Sequence, residues 1–244
     1  MVATTNSTRS RLVGVLGGMG PAATADFYTK LVASCPALTD QEHVPLIIWA
    51  DPTTPDRSAA LLGEGPDPTP WLRRGCITLH EAGAELIVLP CNTAHAFVSA
   101  AIAGLDVRFL SMVEEAVTHL EHMVPRGARI GLLATTGTLQ SRLYQEALGS
   151  RGLVAVVPSA SAQTSVMAGI RAVKAGELHR GRTALTEAAA ALATDGVDVI
   201  VGACTEIPLV LAGADLPVPL IDPAQVLADA VVHDHLRRTA NVRR

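Results

Sequence analysis

Lysine is almost missing from this chain of 244 residues, which holds only Lys30 and Lys174 among 19 basic residues. The bias reads as an arginine-rich genome composition rather than a functional signature, which makes the two surviving lysines worth following. A net charge of -4 offers no basic footprint for nucleic acid. No apolar run approaches the roughly 18 residues that a membrane span needs. No basic segment leads into an apolar stretch and a cleavage site, so a secretory signal is not expected. The four cysteines, at 35, 76, 91 and 204, form no Cys-x-x-Cys pair, and in a cytosolic chain they are expected to be reduced. His119-x-x-His122 and His233-x-His235 lack partner ligands, so no metal site is expected. What remains is a cytoplasmic globular protein, 49% hydrophobic and 17% charged, with enough chain for one large domain or two modest ones.

The positive signal is a repeat. Gly83-Ala-Glu-Leu-Ile-Val-Leu-Pro-Cys91 and Gly196-Val-Asp-Val-Ile-Val-Gly-Ala-Cys204 share one pattern, with the thiol eight residues after the glycine in each copy. Upstream, Leu12-Val-Gly-Val-Leu-Gly-Gly-Met-Gly20 parallels Arg129-Ile-Gly-Leu-Leu-Ala-Thr-Thr-Gly137, with an offset of 117 against 113 at the cysteines. Both glycine segments run into a helical stretch with a tyrosine, Tyr28 or Tyr144. A period above 100 residues is too long for a solenoid and implies two related lobes.

Strand-like runs at 12–16, 45–50, 85–90, 107–110, 129–134, 153–157, 197–202 and 218–221 alternate with Ala-rich helical stretches at 22–34, 72–82, 113–123, 139–149, 164–175 and 183–194. Helices of this length between strands imply βαβ units and parallel sheets. Several of the strand runs are apolar without alternation, as when both faces are covered. The expected fold is therefore α/β: two pseudo-symmetric lobes, each a parallel-sheet sandwich, with the active site in the cleft between them. The first lobe is expected to take residues 1–112 plus 219–244 and carry Cys91, because chain ends often lie close together. The second is expected to take 113–218 and carry Cys204. Segment 51–70 holds five prolines and cannot be one regular element. A loop of that length is commonly functional.

Ligands of parallel α/β sheets bind beyond the carboxyl ends of the strands, and Cys91 and Cys204 both fall there, entering a helix. A helix N-terminus favours thiolate. Asn92-Thr93 and Thr205-Glu206 suit N-cap positions, and spare amides and hydroxyls could hold a carboxylate. One such cysteine reads best as a small buried hydrophobe; two at matching repeat positions read as a pair. Cys35 and Cys76 read as structural. Gly18-Met-Gly20-Pro-Ala-Ala23 fits the dinucleotide fingerprint, but the acid expected about 20 residues on is late, and Pro21 sits where a pyrophosphate would approach. The alternative is a backbone nest around Gly18 and Met19 for a small anion, with Thr135, Thr136 and Thr138 supplying hydroxyls from the second lobe. Arg57, in the proline-rich loop, could clamp a carboxylate. Lys174 reads otherwise as a helix-end cation. His95 and Glu206, four and two residues past their cysteines, could each tune a thiol or simply end a turn.

At these residues the chain resembles the aspartate/glutamate racemase family. Leu16-Gly-Gly-Met-Gly-Pro21, Pro55-Asp-Arg57, Pro90-Cys-Asn-Thr-Ala-His95, Leu133-Ala-Thr-Thr-Gly-Thr138 and Cys204-Thr-Glu-Ile207 follow the family's order from Leu12 to about Val232. The Asn-Thr-Ala-His and Cys-Thr-Glu-Ile forms are similar to the aspartate racemase branch. The resemblance implies a cofactor-independent enzyme in which Cys91 and Cys204 act as paired acid and base, and a homodimer. By position it implies Arg57 and Lys174 as binders of a side-chain carboxylate. It implies Asn92, Thr93, Thr135 and Thr205 as holders of the α-carboxylate or amino group. One departure stands out: Ala203 replaces the family's glycine before the second cysteine, and its methyl is expected to narrow the cleft.

The leading expectation is an amino-acid racemase that interconverts L- and D-aspartate or a close acidic analogue such as glutamate. A maleate-type cis–trans isomerase of the same superfamily and a non-catalytic small-carboxylate binding protein are the alternatives. Pyridoxal phosphate has no convincing lysine here.

Overall fold

In a computed structural model the described residues are 11–242; residues 1–10 and 243–244, part of the expected first lobe, lie outside them. The chain builds two four-stranded sheets of identical topology. The first has the order β2-β1-β3-β4, from β1 (Val13–Gly17), β2 (Leu46–Ala50), β3 (Leu86–Val88) and β4 (Arg108–Leu110). The second has the order β6-β5-β7-β8, from β5 (Arg129–Ala134), β6 (Val154–Val156), β7 (Val199–Ala203) and β8 (Leu220–Ile221). Every pairing is parallel, with Val13 opposite both Leu46 and Leu86 in one sheet and Ile130 opposite Val199 in the other.

Helices cover both faces of each sheet, which is why the central strands are apolar on both sides apart from Arg129 at the start of β5. Val13 and Val15 of β1 join Leu86 and Val88 of β3 in one core, closed by Phe27 and Leu31 of α1 (Pro21–Ser34) and by α11 (Pro223–Val242). Leu16 and Ile87 point the other way, to Leu72, Cys76 and Leu79 of α3 (Thr69–Glu81) and Val98 of α4 (Val98–Ile102). The second sheet repeats the arrangement. Ile130, Leu132, Val199 and Val201 face α5 (Met112–Met123) and Tyr144 and Leu148 of α7 (Leu143–Ser150). Leu133 and Ile200 face α8 (Ala160–Lys174), α9 (Leu178–Thr194) and α10 (Glu206–Leu211).

Two expectations need correction here. Strand 218–221 does not return to the first lobe: β8 pairs with β7, Ile200 opposite Leu220, in the second sheet. Only α11 crosses back, burying Ala224, Leu227, Ala228 and Val231 against the first lobe. The stretch 139–149 is not one helix either. It divides between α6 (Thr136–Gln140) and α7, with Arg142 between them in the left-handed region at φ 57°. Lys30 contributes to the scaffold and not to the cleft that holds the cysteines: it pairs with Asp26 and with Asp222, 2.9 Å away, which ties α1 to the start of α11.

Candidate active site

Both cysteines leave the carboxyl end of a strand next to the centre of its sheet, and the two loops face each other across the lobe boundary. Cys91 precedes a 3-10 turn at Thr93–Phe97, and Cys204 leads through Thr205 into α10. Each is 6% exposed. They line one cleft with Met19, Arg57, Asn92, Thr93, Thr135, Lys174, Thr205 and Glu206. Asp56 and Ser58, which flank Arg57, line it as well. The lobes approach closely here: a β-carbon on Gly137 would stand 2.7 Å from the Ser58 α-carbon, so only glycine fits.

The two thiols have different surroundings. Cys204 Sγ lies 2.9 Å from Glu206 Oε2 and donates its proton there. Burial and the adjacent Glu206 carboxylate push the Cys204 thiol well above its ordinary pKa, with Lys174 pulling the other way. The residue two beyond Cys91 is Thr93, a hydroxyl rather than a carboxylate. Its Oγ1 lies 3.0 Å from that of Thr135 and 2.8 Å from that of Thr138, and those two are 2.9 Å apart. This closed triangle of hydroxyls joins the lobes.

His95 does not approach the thiol. Its Nε2 accepts from Met112 N–H at 3.1 Å, so the proton resides on Nδ1, which donates to the Cys91 carbonyl at 2.9 Å. Burial lowers its pKa to about 4. The ring stays neutral and clamps the Cys91 loop onto the start of α5.

Arg57 opens α2 (Arg57–Leu61), which Asp56 caps by accepting from Ala59 N–H at 2.8 Å. The guanidinium is anchored by one nitrogen: Nη1 donates to the carbonyls of Thr54 at 3.0 Å and Pro55 at 2.8 Å. Nε is buried without a partner, and Nη2 makes no hydrogen bond among the described residues. The Nε–Nη2 edge is therefore a free planar fork. Lys174 ends α8 and lines the cleft, and the residue as a whole is exposed. Burial of its tip would lower its pKa, but Glu206 and the two cysteines outweigh that and raise it.

Several expected roles change. Asn92 and Thr205 cap no helix with their side chains; Asn92 Oδ1 instead accepts from Tyr144 Oη at 2.6 Å. Thr135 does cap, accepting from Thr138 N–H at 3.1 Å. The nest around Gly18 is not free for an anion, because Gly18 N–H goes to Thr24 Oγ1 at 2.9 Å. Gly18 shapes the turn, at φ +91° with Asp51 backbone 2.4 Å from where a β-carbon would be. Thr136 turns to Gln163 and Met167. Ala203 lies in the fully buried core with Val201 and Tyr144, on the sheet face away from Cys204, so its methyl does not narrow the cleft. Among the described residues no cluster of three or more His, Cys, Asp or Glu could hold a metal, and no helix is long and apolar enough to cross a membrane.

Two parallel α/β lobes of one topology, each delivering a thiol to a shared cleft, define a racemase-type scaffold. The chain belongs to the Asp/Glu/Hydantoin racemase family, which it matches over residues 16–231, and is an enzyme of the amino-acid racemase class. The broad specificity amino-acid racemase RacX of Bacillus subtilis (strain 168) is 29% identical over 233 residues, 92% of this chain and 98% of that protein. The aspartate racemase of Picrophilus torridus superposes with a TM-score of 0.83 at 29% identity, over 92% of this chain and 94% of that one. An aspartate racemase homologue from Pyrococcus horikoshii OT3, PH1733, shares the fold with a TM-score of 0.74 at 21% identity, over 93% and 100%.

Proposed function

We propose that this enzyme interconverts the L- and D-forms of aspartate, or of a close acidic analogue, through its two thiols and without pyridoxal phosphate. The observation that carries the reading is Cys91 and Cys204 in one cleft with the free fork of Arg57 and the ammonium of Lys174. The side-chain carboxylate pairs with those two cations, and the α-carboxylate takes the Asn92 amide and the Thr205 hydroxyl, with Thr93 and Thr135 turning their hydroxyls to it when the triangle opens to substrate. In the L-to-D direction Cys204 first passes its proton to Glu206 and, as thiolate, removes the α-proton. Cys91, as thiol, then delivers a proton to the opposite face of the carbanion. The reverse direction exchanges the two roles.

An α-proton beside a carboxylate is very weakly acidic, so the thiolate needs help. Burial makes the Cys204 thiolate a stronger base than a free one, which the raised pKa expresses. Each preorganised donor aimed at the developing charge contributes roughly 3 kcal/mol. On the strength of the family resemblance alone, the same reading takes the enzyme as a cytoplasmic homodimer.

Proton NMR in D2O against aspartate, glutamate, asparagine and alanine tests the reading, since loss of the α-proton signal identifies the substrate. Cys91→Ser and Cys204→Ser should each reduce racemisation below about a tenth of wild type with the fold intact, because each direction needs both groups. EDTA should be harmless and pyridoxal phosphate without effect. Racemisation that survives either substitution, or that needs pyridoxal phosphate, would overturn the two-thiol mechanism.

A further inference from the structure

The two tyrosines at matching places in the repeat have different fates. Tyr28, on α1, is 47% exposed, whereas Tyr144, on α7, is fully buried in the second lobe's core among Leu132, Leu148 and Val201. A phenol in such a place needs a partner for its hydroxyl. It finds one in the other lobe: Oη lies 2.6 Å from Asn92 Oδ1, the residue after Cys91. The length is that of an O–H···O bond, which makes the phenol the donor and the amide oxygen the acceptor. Burial, and secondarily Asp222, push the Tyr144 pKa well above its ordinary range, so the donor is not lost to ionisation.

The other half of the carboxamide is unsatisfied. Asn92 is 2% exposed and lines the cleft, yet Nδ2 has no hydrogen-bond partner. A buried NH2 without an acceptor is a cost that a native fold rarely leaves standing. It is what a binding site presents when the missing acceptor is its ligand.

We propose that Tyr144 is a positioning residue: by holding Oδ1 it turns the Asn92 amide so that Nδ2 faces the cleft, committing Asn92 to a carboxylate and denying the substrate ammonium an acceptor there. The inference rests on the racemase reading and deepens it by assigning the polarity of one subsite. It also makes that subsite depend on both lobes, since the tyrosine belongs to one and the asparagine to the other.

Succinate provides a probe independent of proton transfer, because it has both carboxylates of aspartate and no amine. Tyr144→Phe keeps the ring and removes only the hydroxyl. The amide then loses its orientation, and Kd for succinate and KM for aspartate should both rise about tenfold, the scale of one hydrogen bond to a charged group, with kcat within about threefold. Asn92→Ala should weaken binding similarly, and Tyr144→Phe added to it should change nothing further, because the tyrosine acts only through the asparagine. Asn92→Asp replaces the cleft-facing donor with an acceptor of the same shape and should lower succinate affinity about a hundredfold or more, like charges in a dry site being costly. It serves as the test if Tyr144→Phe folds poorly. A racemising wild type whose Tyr144→Phe variant keeps its Kd and KM, additive losses in the double variant, or near-normal succinate binding by Asn92→Asp would each overturn the role of Tyr144 and leave the racemase reading intact. A wild type that neither binds succinate nor exchanges an α-proton would overturn both.

Discussion

Arg57→Ala tests the charge logic of the cleft. Arg57 is 8% exposed, and its guanidinium spends Nη1 on two backbone carbonyls and leaves Nε and Nη2 for a ligand. Its removal acts twice. The carbonyls of Thr54 and Pro55 lose their donor, which should cost about 1–3 kcal/mol of stability in total. On the proposed reading, a substrate side-chain carboxylate loses a bidentate partner in a largely buried cleft, where breaking a charged pair costs about 2–5 kcal/mol. Lys174 remains in the cleft as a second, more exposed cation, so the lower half of that range applies. About 2–3 kcal/mol is roughly 30- to 150-fold in kcat/KM for aspartate. Alanine offers no second carboxylate and should lose less than about threefold. Arg57→Lys should recover little, since an ammonium cannot hold two carbonyls and present a planar fork. The measurement is kcat/KM by chiral chromatography on aspartate and alanine for the three proteins, with thermal unfolding alongside. An Arg57→Ala variant that stays folded and keeps aspartate kcat/KM within about threefold, or that loses aspartate and alanine equally, would show that Arg57 supports the loop and nothing more.

The frame was legible because its signal is local. All eight strand runs were recognisable as short, mainly apolar stretches between helical ones, and the glycine-to-cysteine repeat foretold two sheets of one topology. The misplaced element is the shortest, β8, a two-residue strand beside Pro219, too brief to say which sheet it joins. The position of Ala203 was readable in hindsight: Val199, Val201 and Ala203 alternate onto one strand face, towards Tyr144 and away from the cleft. The contacts that give the cleft its character have no such signature. The Thr93–Thr135–Thr138 triangle and the Tyr144–Asn92 bond join residues 42 to 52 positions apart across the lobe boundary. No spacing rule reaches them, and the exposed Tyr28 at the matching position gives no hint of its counterpart.

The remaining predictions concern the two lobes' unlike chemistry. His95 is held neutral, with its pKa lowered to about 4 by burial, against 6.5 when unfolded. Between those values the unfolded chain binds more protons, so the histidine's contribution is complete above pH 6.5 and declines as pH falls towards 4, by up to about 3 kcal/mol. Urea unfolding from pH 7.5 to 4 should show that slope in wild type and a flatter one in His95→Gln; parallel curves would remove His95 from the acid sensitivity. The second prediction follows from a broken symmetry: two residues past each thiol stands Thr93 in one lobe and Glu206 in the other. The carboxylate accepts the Cys204 proton at 2.9 Å and holds that thiol above its ordinary pKa, while the Cys91 thiol makes no hydrogen bond to a carboxylate among the described residues. The two cysteines are equally exposed at 6%, so access does not separate them, and the suppressed thiolate of Cys204 should. Iodoacetamide at pH 7.5 should modify Cys91 before Cys204, as peptide mass mapping would record. Glu206→Gln removes the repelling charge and should speed the labelling of Cys204 severalfold. Earlier labelling of Cys204 in wild type, or no acceleration in Glu206→Gln, would mean that the carboxylate does not set the proton on that thiol.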